Sequence, residues 1–101
     1  MAYIMKESGI REEVIEEIRK LAVKYGMEKV ILFGSRARGD FHRTSDIDLA
    51  VQGGNFARFA LDVAEEVSTL LQFDIVNLSG SVQDELAESI VREGVALYEK
   101  I

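Results

Sequence analysis

The chain has 101 residues, 48% hydrophobic and 30% charged, with 12 basic against 18 acidic side chains and a net charge of −6. Such a length suits one domain, residues 1–101, around one modest core, and no apolar run approaches a membrane span. Zero cysteines exclude disulfides, thiol catalysis and cysteine zinc sites, and one histidine leaves no histidine metal cluster. The acidic balance argues against an extended nucleic-acid footprint. It suits a nucleotide held locally or a basic protein partner. No signal-peptide pattern opens the chain, so the expected setting is cytoplasmic.

Taken in order, Ser8 is a predicted N-cap for a first helix. Ile10, Val14, Ile15, Ile18, Leu21 and Ala22 recur at helical spacing, and Gly26 is the predicted stop. Lys29 to Phe33 reads as a short buried strand. Ser35 to Gly39 reads as a short helix, Asp40 to Thr44 as a polar loop, and Asp46 to Gln52 as a second strand. Gly53, Gly54 and Asn55 break the pattern, with Asn55 as N-cap. A helical stripe follows: Phe56, Phe59, Ala60, Val63, Ala64, Val67, Leu70 and Leu71. Phe56 and Phe59 offer an adenine-stacking surface, although aromatic residues on such a stripe are usually core. Phe73 to Leu78 alternates as a third strand. Ser81-x-x-Asp84 resembles a capping box, with Leu86, Ala87, Ile90 and Val91 facing inward. Gly94 then ends the helix, and Val95 to Tyr98 is a short final strand. The order gives an α/β fold on a small mixed sheet, where strands joined by crossover helices tend to run parallel.

Chemistry concentrates between the first two strands. Glycine permits the sharp turn at Gly34, and Ser35 opens a helix whose first-turn N–H groups attract anions. Arg36 and Arg38 add guanidinium forks suited to phosphate oxygens. One of them is expected at the phosphates and the other in a surface ion pair; Arg38 is the preferred phosphate ligand. On an extended strand Asp46 and Asp48 share one face, roughly 6.6 Å apart, while Ile47, Leu49 and Val51 share the other. Without a cation the two acids repel. Their oxygen donors favour magnesium or manganese over zinc. Asp74 lies in an otherwise apolar strand, where a carboxylate is costly unless paired or metal-bound, and is the candidate third acid. His42 sits in the polar loop and is left outside the site.

Gly34-Ser35, ten intervening residues and Asp46-x-Asp48 resemble the signature of the DNA polymerase β-like nucleotidyltransferase superfamily. The strings Gly34-Ser-Arg-Ala-Arg-Gly39 and Ser45-Asp-Ile-Asp-Leu49 are similar to its minimal nucleotidyltransferase (MNT) branch. Phe73-Asp74-Ile75-Val76 and Glu93-Gly94-Val95 also fall where that branch places its third strand and C-terminal end. The resemblance implies a two-layer nucleotidyltransferase fold of about four strands, one of them antiparallel. It implies ATP as substrate and two magnesium ions, with Asp46, Asp48 and Asp74 as catalytic and metal-holding residues. Gly34, Ser35 and Arg38 would be the nucleotide-binding residues. It further implies a protein acceptor, a HEPN-domain toxin encoded nearby, which the MNT protein adenylylates as antitoxin. The competing readings are a non-catalytic binding module and nucleotidyl transfer to a small molecule. An exposed sheet edge leaves self-association open.

Overall fold

The computed structural model describes residues 8–100. The elements are α1 (Glu12–Lys24), β1 (Lys29–Phe33), α2 (Ser35–Arg38), β2 (Ile47–Gln52), α3 (Phe56–Glu66), β3 (Phe73–Asn77), α4 (Asp84–Glu93) and β4 (Val95–Glu99). They form the expected α/β fold on a four-stranded mixed sheet of order β3-β2-β1-β4. Strand β1 runs antiparallel to both neighbours, and β2 pairs parallel with β3. The connections account for this. α3 carries the chain back along the sheet and so delivers β3 parallel to β2. α2 has four residues, and Arg36 on it donates to the Ser45 carbonyl at 3.1 Å, so the 34–46 connection folds back to the end of β1 that it left. The chain therefore re-enters antiparallel.

Alternation along the strands separates two faces. Val30, Leu32, Ile47, Leu49, Val51 and Leu97 join Ile15 and Ile18 of α1 and Phe59 and Val63 of α3 in the main core. Each such side chain, once buried, contributes about 1.5–3 kcal/mol. On the opposite face Phe33, Ala50 and Ile90 form a smaller cluster with Ile31, Val76, Leu78 and Leu86, so α4 covers part of that face. By parity, Asp48 falls with Ala50, and Asp74 with Val76, on the α4 side. Phe59 is fully buried and the half-buried Phe56 packs beside the same core, which places both rings on the side of the sheet away from Asp48. Asp62, buried on α3, accepts a hydrogen bond from the Tyr25 hydroxyl.

Several local expectations need correction. α1 starts at Glu12 with Arg11 at the N-cap and no side-chain cap. Ser8 instead closes a turn ahead of it, its Oγ accepting from the Ile10 N–H at 3.2 Å. Gln83, without a side-chain cap, precedes α4 in place of the expected Ser81 box. α3 ends at Glu66, so Leu70 falls beyond the helical stripe and is fully exposed, and Val91 on α4 is 86% exposed. Asn55 does cap α3, its Oδ1 accepting from the Arg58 N–H at 3.2 Å. Among the described residues, no helix is long and apolar enough to cross a membrane.

Candidate active site

Strand β1 delivers the chain to Gly34, whose φ of 76° and ψ of −157° only glycine adopts readily. There is a second reason for glycine here. A Cβ at position 34 would lie 2.2 Å from Asp48 Oδ2 and 3.0 Å from its Cγ. The bend and the carboxylate are thus in direct apposition, as the register Phe33↔Asp48 requires. The Ala37 and Arg38 N–H groups both donate to the Gly34 carbonyl at 3.1 Å. The Ser35 and Arg36 N–H groups therefore open the turn without an intrahelical acceptor. Gly39 closes it in the left-handed region at φ 90°, its N–H donating to the Ser35 carbonyl at 2.8 Å.

Asp48 pairs in register with Asp74 across the parallel β2–β3 ladder, so these two acids stand side by side on one face. Asp46 immediately precedes β2, one residue short of the predicted strand. The Asp48 carboxyl is held above the ordinary carboxylate range, first by burial and then by the negative charges of Asp74 and Asp46. Arg38 opposes that shift. The three acids thus share one electrostatic field, and Asp48 is its most desolvated member.

The two arginines divide sharply. Arg36 is 3% exposed. Its Nη1 donates to the Ser8 carbonyl at 2.9 Å, its Nε to that of Ser45 at 3.1 Å, and its Nη2 to those of Arg43 at 3.3 Å and His42 at 3.5 Å. The guanidinium also stacks 4.7 Å from the Phe41 ring centroid, and burial lowers its pKa. Arg36 is therefore a clamp that fixes the loop delivering Asp46, rather than half of a surface ion pair. Arg36→Lys keeps one charge but not the fork. It should destabilise the protein by about 2–4 kcal/mol, read as a lower denaturant midpoint with an unchanged m-value.

Arg38 lies on the outer side of α2, where Glu93 and Asp40 accept from its guanidinium and raise its pKa, Glu93 more strongly. His42 is exposed, its backbone N–H donating to Ser45 Oγ at 2.8 Å. Sequence reasoning placed Glu93 in the C-terminal family string but missed its pairing with Arg38. The available signal was an acid at a helix C-terminus, where the dipole disfavours it.

Among the described residues, no three carboxylate or imidazole groups close into a metal-holding cluster. Magnesium usually takes one or two protein carboxylates and completes its shell with water and substrate phosphates. An open set of acids whose mutual repulsion Arg38 only partly offsets, beside an anion-attracting turn, fits that chemistry.

The family model described as "Polymerase beta, Nucleotidyltransferase" matches residues 16–101. The chain belongs to this nucleotidyltransferase family. It is 31% identical over 100 aligned positions to a Methanocaldococcus jannaschii protein named "Putative protein adenylyltransferase MJ0604", covering 86% of this chain and 97% of that one. A crystal structure of a toxin–antitoxin with AMP-PNP superposes with a TM-score of 0.68 at 30% identity, covering 85% of this chain and 73% of that chain. The toxin–antitoxin MntA-HpeT, crystallised as a variant with two Asp→Glu changes two positions apart, gives a TM-score of 0.67 at 25% identity over the same shares of the two chains. The four-stranded mixed sheet of this chain, with its helices, thus matches the fold of such nucleotidyltransferase structures.

Proposed function

We propose that this chain transfers AMP from ATP to a hydroxyl on a partner protein, a HEPN-type toxin, and so acts as a cytoplasmic antitoxin. The observation that carries the proposal is the apposition of Asp48 and Gly34, which sets an acid field against an anion-attracting turn. The adenylyltransferase name of the relative and the toxin–antitoxin nature of the similar structures support it. An oxygen-preferring divalent cation, magnesium by the donor set, would be held by Asp46, Asp48 and Asp74, and when bound would neutralise phosphate charge and lower the acceptor hydroxyl's pKa.

The chain's own groups account for the rest. The N–H groups and hydroxyl at Ser35 hold the β and γ phosphates against the start of α2, and Arg38 adds positive charge at the edge. In the transfer, the acceptor oxygen bonds to the α-phosphorus while the bond to the β-phosphate bridging oxygen breaks. Pyrophosphate leaves, and Asp74, solvent-facing and beside Asp48, accepts the hydroxyl proton. Rate enhancement comes from alignment and preorganised charge rather than from a covalent intermediate.

Co-expression with the product of the adjacent gene tests the partner assignment. The expected result is a partner heavier by one AMP moiety in intact-mass analysis, and unmodified when made with the Asp46→Asn/Asp48→Asn variant. A partner that stays unmodified yet is neutralised by both forms would overturn transfer in favour of simple binding.

A further inference from the structure

The last turn of α4 breaks a local rule. Helix C-termini carry the negative end of the macrodipole and favour Lys or Arg, yet α4, with Arg92 in its last turn, ends on Glu93. Its side chain is drawn inward, only 19% exposed. The next residue, Gly94, lies so close to β1 that a Cβ there would sit 2.5 Å from Ile31 Cγ2. Its N–H also donates to the Ile90 carbonyl at 2.8 Å. The carboxylate is thus carried on a turn packed against the sheet face that bears Asp48 and Asp74.

Its close partner is Arg38, whose Nη1 donates to Glu93 Oε2 at 2.7 Å. Asp40 Oδ2 accepts from the same guanidinium's Nε at 3.1 Å. Arg92 stands farther off, 3.6 Å from Oε1 and 67% exposed. A guanidinium presents five N–H donors in a rigid planar fork. Two carboxylates occupy its Nε and Nη1, and among the described residues Nη2 has no hydrogen-bond partner. Arg38 lies three positions beyond Ser35 on α2, and its charge is felt at Asp48. An acid set against the dipole, mostly buried and committed to one arginine at the rim of the site, marks a local conflict of the kind found where function is served.

We propose that Glu93 is a positioning residue: by holding Arg38 through Nη1 it keeps the remaining N–H groups of the guanidinium available to the β and γ phosphates of a bound triphosphate. The proposal rests on the triphosphate reading of the site given above. It assigns Glu93 no contact with the substrate. Its effect passes entirely through Arg38.

Calorimetric titration with AMP and with α,β-methylene ATP, whose α–β bridge resists transfer, tests it in the presence of magnesium. The proteins compared are wild type, Glu93→Ala, Glu93→Gln, Arg38→Ala and the Glu93→Ala/Arg38→Ala pair. Glu93→Ala should weaken triphosphate affinity about tenfold, the loss expected when one charge-assisted fork is misplaced, and leave AMP affinity unchanged. Glu93→Gln keeps an acceptor oxygen and should recover most of the loss. The double variant should bind no more weakly than Arg38→Ala alone. Additive losses, equal losses for AMP and the triphosphate analogue, or tighter binding by Glu93→Ala would each overturn the proposal. A wild-type protein that binds no triphosphate analogue would overturn the site reading itself, an outcome distinct from wild-type binding that the variants leave unchanged.

Discussion

Asp48→Asn is expected to lower kcat/KM for nucleotidyl transfer by about 10³-fold or more, the scale seen when a central charged group of a transition-state site is removed. The same change should make the protein more stable at pH 7. Asp48 titrates above the ordinary carboxylate range because it is partly buried and faces Asp74 and Asp46. A raised folded-state pKa means that the group's contribution to stability is fully present below its unfolded pKa and is lost as pH rises through the folded value. At neutral pH the charged carboxylate is therefore a liability, and asparagine removes it. The variant should melt higher than the wild type at pH 7. That advantage should shrink as pH falls through the raised folded-state value and be gone below about pH 4, the ordinary carboxylate value. Magnesium should raise the melting temperature of the wild type through preferential binding to the folded state, but not that of Asp46→Asn/Asp48→Asn. Loss of activity with loss of stability would mean that Asp48 is structural.

Gly34→Ala should have the second largest effect, through two separable causes. Alanine resists the left-handed φ of 76°, which together with the displaced neighbour should destabilise the protein by about 1–3 kcal/mol. Its Cβ would also meet Asp48 Oδ2 at 2.2 Å, so the carboxylate would have to move by about 1 Å, a misplacement that costs about 10²-fold in rate. Gly26→Ala provides the control. Gly26 has a similar φ of 68°, a Cβ at that position would meet nothing within 4 Å, and it lies at the end of α1, away from the acids. It should show the cost of a positive φ alone and keep full activity, so thermal melts read beside transfer rates separate strain from displacement.

The contrast between these glycines shows what the sequence could and could not disclose. The two faces of β2 were legible because alternation is fixed by the pleat: Ile47, Leu49 and Val51 entered the core, leaving Asp48 on the other side with Asp74 beside it. The stripe on α1 was equally plain, and its members Val14, Ile15, Ile18, Leu21 and Ala22 are all buried. The direction of β1 is not readable from pattern alone, since it depends on the Arg36 contacts that fold the 34–46 connection back on itself. The antiparallel strand was expected only from the family resemblance. Stripes also overran their helices. Leu70 continues the spacing of α3 but lies past Glu66, and Val91 points off α4 because that helix covers only part of its face. Arg36 and Arg38 are two positions apart and chemically identical. Only tertiary packing decides that one clamps a loop from inside while the other meets Glu93 on the rim.

Transfer of label from α-labelled ATP, followed with magnesium and the co-expressed partner as acceptor, bears most directly on the assignment of the acids and the Gly34 turn as one catalytic unit. Labelled acceptor with the wild-type chain, and none with Asp46→Asn/Asp48→Asn at matched folding, is the predicted result. Undiminished labelling by the double variant would contradict it.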